Sequence, residues 1–118
     1  MFRTIRIVPK PWGQEQHLMI TKKYALKILE IKGGHRFSLQ YHRKKMESWY
    51  VLSGEILVTL GKRSFKARPR QVIHVPPRTR HRIKGLAKWN QVVEVSTTEL
   101  GDVVRLQDDY NREGTSAP

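Results

Sequence analysis

Apolar and polar residues alternate along most of this chain with a period of two, and no stretch keeps the three-and-four spacing of an amphipathic helix. The alternation predicts strands. Tyr24 to Lys32 places Leu26, Ile28 and Glu30 on one face, with Leu29 and Ile31 on the other beside Lys27. This strand is therefore expected to be covered on both sides. Gly33-Gly34 ends it, and Arg36 to His42 reads as the next strand. Arg43-Lys44-Lys45 is too charged for burial and reads as a turn, after which Glu47 starts a second apolar run through Trp49 to Leu52. Glu55 to Leu60, the two-residue turn Gly61-Lys62, and Arg63 to Ala67 form a hairpin signal. Gln71 to Val75 is a short strand halted by Pro76-Pro77, and His81 to Lys84, Gln91 to Thr97 and Val103 to Leu106 follow. About nine or ten short strands at regular spacing predict an all-β sandwich or barrel.

At 118 residues the chain is expected to be one domain. It has no cysteine, which excludes disulfides and thiolate metal sites. The N-terminal stretch carries charge among its apolar residues, and no apolar run approaches membrane-spanning length, so a cytoplasmic protein without membrane association is expected. The 23 Lys and Arg outnumber the 10 Asp and Glu, a formal charge of +13. That balance favours anionic partners, from a sugar phosphate to nucleic acid. The charges are spread through the strands, no nucleic-acid-binding motif is recognisable, and specific nucleic-acid binding is not expected.

Candidate chemistry gathers around residues 40 to 49. Gln40 and His42, two apart on a strand, face the same way; Glu47, after the basic turn, can return beside them, and His81 follows Pro76-Pro77. These imidazole, carboxylate and amide donors suit one divalent ion and do not select among zinc, manganese, cobalt, iron and nickel; zinc is the expected occupant. Spacing alone leaves a second reading open, in which the histidines are core residues satisfied by hydrogen bonds. His74 is read chiefly as a packing residue, with ligation or acid–base chemistry as the alternatives. His17 and His35 are read as exposed, and Trp12 and Trp89 as caps on the barrel ends. Arg78, Arg80, Arg82 and Lys84 flank His81 and are either a phosphate-binding cluster or a solvated strand edge.

The runs Gly34 to His42 and Glu47 to Gly54 resemble the first cupin motif as found in type II mannose-6-phosphate isomerases. Val75 to Arg82 is similar to the second motif, Pro11-Trp12-Gly13 to the opening of that domain, and Asp102 to Arg112 to its close. The resemblance implies a small cupin barrel over residues 11–112, after an extended segment at 1–10 and before a disordered tail at 113–118. It implies metal ligands Gln40, His42, Glu47 and His81, and it makes Arg36 the catalytic arginine. It also implies aldose–ketose isomerisation of mannose 6-phosphate and fructose 6-phosphate, or of a related anionic sugar, by a homodimer. The pattern departs at Arg43 and Lys44, where the family has histidines, at Ser48, another lost histidine, and at Arg78, where it has glycine. Those losses favour the alternative of a non-catalytic metal-binding cupin that binds or senses a small anionic ligand. No glycine-rich nucleotide loop is present, so GDP-mannose synthesis is not expected.

Overall fold

The computed structural model describes residues 4–99 and 101–115. Eleven strands form there: β1 (Arg6–Lys10), β2 (Gly13–Ile20), β3 (Ala25–Lys32), β4 (Leu39–Tyr41), β5 (Glu47–Ser53), β6 (Ile56–Leu60), β7 (Arg63–Ala67), β8 (Val72–Val75), β9 (His81–Gly85), β10 (Trp89–Ser96) and β11 (Val104–Gln107). They make two antiparallel sheets, one ordered β1-β2-β3-β10-β5-β8 and the other β11-β4-β9-β6-β7. Every pairing between named strands is antiparallel, as short hairpin connections and a longer return connection permit.

The inward residues of the two sheets close on one core. Trp49 and Val51 of β5, Ile73 and Val75 of β8, Val92 of β10, and Leu29 and Ile31 of β3 meet Ile56, Val58 and Ile83 from the facing sheet. Burying each of these side chains contributes about 1.5–3 kcal/mol before the entropy of ordering it is subtracted. The β6–β7 hairpin has the predicted register, with Gly61 at φ +60° in the first central position that a type II′ turn reserves for glycine.

Within the segment expected to be extended at 1–10, Arg6–Lys10 pairs with β2 as the edge of the larger sheet, and residues 1–3 lie outside the described residues. Gly13 explains the Pro-Trp-Gly opening. Its φ is +153°, and a Cβ there would stand 1.9 Å from the Glu30 carbonyl oxygen, so only glycine lets β2 lie this close to β3. Trp12 is buried in the core against Phe37 rather than capping a barrel end, whereas Trp89 is exposed on β10. The expected strand over residues 36–42 is shorter than its pattern, with only Leu39–Tyr41 in the ladder and Arg36 in an isolated bridge to Lys84. The expected disordered tail is described to Thr115, which hydrogen-bonds Arg105; residues 116–118 lie outside the described residues.

On the outer side of the larger sheet, Glu30 accepts hydrogen bonds from Gln14, Gln16, Gln91 and Trp89. Burial would raise its carboxyl pKa, yet the four donors outweigh burial and hold it below the ordinary value. The contribution of such a depressed acid is present above the unfolded pKa of about 4.3 and is lost as pH falls through the folded value. Glu30→Gln should therefore lower stability by about 1–3 kcal/mol near neutral pH and flatten the decline between about pH 5 and 3. Urea unfolding across that range reads both effects, and an acid limb superimposable on the wild type would refute the assignment.

Candidate metal centre and its cavity

The site is assembled from both sheets. Gln40 on β4 and His81 on β9 are directly opposed across a strand pair, and His42 lies one residue past β4. Glu47 opens β5 in the facing sheet, where β8 and β10 flank it through Val75 and Ser96. The ligating atoms of His42, Glu47 and His81 lie within 4.8 Å of one another, and all three residues are buried.

Each imidazole is oriented by a backbone carbonyl. His42 Nδ1 donates to Asp102, and His81 Nδ1 donates to Thr79 at 2.9 Å. A carbonyl can only accept, so Nδ1 carries the proton and Nε2 is left to face Glu47. His42 Nε2 is 3.8 Å from one Glu47 oxygen and His81 Nε2 is 3.2 Å from the other. Burial, against the opposing charge of Glu47, depresses the His42 pKa to about 4, so its ring is neutral at pH 7 and offers a lone pair. Burial also opposes ionisation of Glu47, but the His81 ring and the Lys45 ammonium outweigh it and keep the carboxylate charged. His42 Nε2 has no hydrogen-bond partner, and Glu47 Oε2 is met only by the Lys45 ammonium, with Nζ at 3.1 Å. The Nε2 atoms of His42 and His81 converge on a buried carboxylate, an arrangement that a cation between them completes. The residues present therefore fit a divalent ion of the nitrogen-and-oxygen-ligand class.

The fourth expected ligand is close but turned. Gln40 Nε2 points at His81 Nε2 at 3.5 Å, while its Oε1 accepts from Ser38 at 2.7 Å. Three donors converge, and the amide must rotate before Gln40 can supply an oxygen.

Lys45, expected in an exposed turn, is instead buried between Glu47 and Glu94, with Nζ 3.6 Å from the latter. Two carboxylates on neighbouring strands of the larger sheet stabilise a cation that composition alone assigns to solvent. The turn itself is held by Asp102, whose carboxylate accepts the backbone N–H groups of Arg43, Lys44 and Lys45. Arg78 sits at φ +62°, the left-handed conformation that explains a glycine in the motif it resembles, and its N–H donates to the His42 carbonyl at 2.6 Å.

The other expected site residues lie elsewhere. Arg36 makes a two-pronged pair with Asp109, at 2.8 and 2.9 Å, and is not in the cavity wall. Arg78 and Arg80 are exposed; Arg82 is buried, with its guanidinium donating to the Phe37 and Gln107 carbonyls. Lys84, half-buried, also lies outside the wall. His74 is exposed and bonded to Ser48. His17 and His35 are half-buried rather than exposed, the first paired with Glu15 and the second stacked on Tyr110.

The cavity beside the triad is walled instead by five cations, Lys10, Lys27, Lys45, Arg105 and Arg112, and by the carboxylates of Glu15 and Glu94. Burial, together with the nearby Glu47 charge, pushes the Glu94 carboxyl up to about 7.

The family model for the mannose-6-phosphate isomerase C-terminal domain matches residues 2–108. The chain is 33% identical over 111 residues to xanthan biosynthesis protein XanB of Xanthomonas campestris pv. campestris, covering 91% of this chain and 24% of that protein. It is 30% identical over 102 residues to mannose-1-phosphate guanylyltransferase RfbM of Salmonella typhimurium, covering 83% of this chain and 21% of the relative. The chain thus spans about a quarter of the length of these relatives. The Schizosaccharomyces pombe Cnp3 cupin domain superposes with a TM-score of 0.64 at 20% identity over 72% of this chain and 65% of its own, a likeness of fold. None of the described residues forms a helix long and apolar enough to cross a membrane. Two sheets of this topology and a match across nearly the whole chain lead to one conclusion: this is a cupin-fold member of the mannose-6-phosphate isomerase C-terminal family.

Proposed function

We propose that this chain is a metal-dependent isomerase acting on mannose 6-phosphate and fructose 6-phosphate or a related anionic sugar. The observation that carries the reading is the convergence of His42, Glu47 and His81, with the His42 Nε2 unpartnered, on a cavity walled by cations. A divalent ion held there would supply Lewis-acid polarisation of neighbouring carbonyl and hydroxyl oxygens. The chain's own residues do the rest. His42 and His81 are held in one tautomer by the Asp102 and Thr79 carbonyls, so their Nε2 atoms stay aimed at the centre.

Proton transfer between adjacent carbons needs a group that exchanges protons near neutral pH. Among the cavity-wall carboxylates Glu47 belongs to the triad and Glu15 is paired with His17 and Lys27, which leaves Glu94 for that role. Glu94 Oε2 faces Lys45 Nζ, so the ammonium stabilises its ionised form while burial stabilises its protonated one. Trp12, Phe37, Leu29 and Val103 complete the wall and limit water around the reacting atoms.

Incubation of the metal-loaded chain with mannose 6-phosphate, followed by NMR in D2O, tests the reading. Fructose 6-phosphate should form with deuterium incorporated at C1; formation should stop on chelation and resume to different degrees with zinc, manganese or cobalt. A loaded protein that interconverts nothing with any of these metals contradicts the isomerase. It would favour the second reading, a metal-binding cupin that holds an anionic sugar without turnover. The engagement of Arg36 with Asp109 outside the cavity is the observation on that side.

A further inference from the structure

We infer that the outer face of the larger sheet is a docking surface for a second copy of this chain, packed sheet against sheet about a two-fold axis. None of the residues on this face belongs to the cavity wall, so the inference is independent of the proposed function and leaves both cavities open.

Strand register sets Ile7, Gln16, Ile28, Val93, Tyr50 and Val72 side by side in one row across all six strands, on the side away from the core. The neighbouring row carries Met19, Leu26 and Val95, and Leu52 shares the parity of Tyr50. Ile7, Met19, Tyr50, Leu52, Val72 and Val95 are 39–54% exposed in the single chain. Contiguous apolar surface of this breadth marks an interaction site. Charge says what covers it. Arg6, Lys10, Lys27 and Lys32 are all the Lys and Arg of these six strands; the first three have the inward parity, and Lys32 stands at the rim opposite Trp89. A chain of formal charge +13 thus keeps its cations off this face, so two copies can meet here with their basic surfaces turned apart, whereas an acidic partner would find no cations to pair with.

The polar groups on the face are already engaged. Glu30 is held by the uncharged donors of Gln14, Gln16, Gln91 and Trp89, Gln91 accepts from Ser53, and Ser48 bonds His74 at 2.7 Å. Covering the face therefore strands none of these groups when water leaves. Six strands span five spacings, about 24 Å, and β2, β3 and β10 run about 27 Å, a plate on the order of 600 Å² in plan. That is the scale of the roughly 800 Å² each partner buries in a standard interface. Ile28 and Val93 lie on the third and fourth strands, so an axis near them lets each copy present the same row to the other. The edges of this sheet suit pairing less well: Pro9 cannot donate from β1, and the four-residue β8 ends at Pro76-Pro77.

Sedimentation equilibrium of the purified chain tests the surface. A dimer is expected, with a dissociation constant of about 10 μM or below, within the range that interfaces of this size span. Tyr50→Lys and Val95→Lys should each weaken it at least about 30-fold, because each places a like charge on both copies in the apolar contact. Both positions are exposed in the single chain, so circular dichroism and zinc affinity should match wild type and either variant keeps the test decisive if the other does not fold. Ser64→Lys, exposed on β7 of the other sheet, should leave the constant within about twofold. A wild-type chain that stays monomeric at about 200 μM overturns the inference, and the face then belongs to a different partner. A dimer that tolerates lysine at both face positions, or that is broken by Ser64→Lys instead, overturns it in favour of an edge or the opposite sheet. Loss of the dimer in the two face variants alone upholds it.

Discussion

Replacing His81 by alanine should reduce the affinity for a divalent ion by more than 100-fold and abolish sugar-phosphate turnover with it. Loss of an outer hydrogen-bond partner alone can weaken metal binding by about 10–100-fold, and His81 is itself one of three converging donors. The ring is fully buried between Trp49 and Phe37, so the variant also leaves a cavity in the core. His42→Gln provides the companion measurement, because it keeps most of the volume while removing the aimed Nε2. Zinc competition with a chromogenic chelator, alongside circular dichroism to confirm a folded barrel, reads the effect. Wild-type affinity in both folded variants would remove the triad from the account.

The second large effect is expected at Lys45. Lys45→Met leaves the buried Glu47 and Glu94 carboxylates without the ammonium that lies 3.1 and 3.6 Å from them. Breaking a buried ion pair from one side costs about 3–5 kcal/mol. The cost should depend on pH in a particular direction. Glu94, raised by burial to about 7, becomes neutral as pH falls below that value, so the variant should recover part of its stability at pH 6 relative to pH 8. Lys44→Met, one residue away and exposed, should change stability by less than about 0.5 kcal/mol. Urea unfolding of chelator-treated proteins at the two pH values distinguishes these outcomes; equal effects of the two substitutions would contradict the buried network.

Most of the barrel was legible in the chain because side chains on a strand alternate between two faces, and that period survives in β3, β5, β6, β8 and β10. The triad was legible for a related reason: residues two apart on β4 and the strand that follows the basic turn must return to the same place. The β1–β2 hairpin was not: Pro9 cannot donate to a ladder, and only an edge strand such as β1 tolerates it. Nor was the cation wall. Lys10, Lys27, Arg105 and Arg112 come from β1, β3, β11 and the turn after it, and only the packed barrel brings them together. A signal did exist: Lys27 shares its parity with Leu29 and Ile31, and Glu94 shares its parity with Val92. A charged residue at a core parity marks either a misread face or a buried functional network, and here it marks the network. Arg78, Arg80, Arg82 and Lys84 adjoin His81 in sequence, but Arg78 and Arg80 are exposed ahead of β9, Arg82 sets its donors on backbone carbonyls, and Lys84 lies outside the cavity wall.

The central claim is that His42 and His81 hold a divalent ion together with Glu47. X-ray absorption at the zinc edge, on the chain loaded with one equivalent of zinc, tests it directly. The account predicts a first shell of nitrogen and oxygen at about 2.0–2.2 Å with the outer-shell scattering of two imidazoles, reduced to one imidazole in His42→Gln. A shell of oxygen alone, or one unchanged by that substitution, would contradict it.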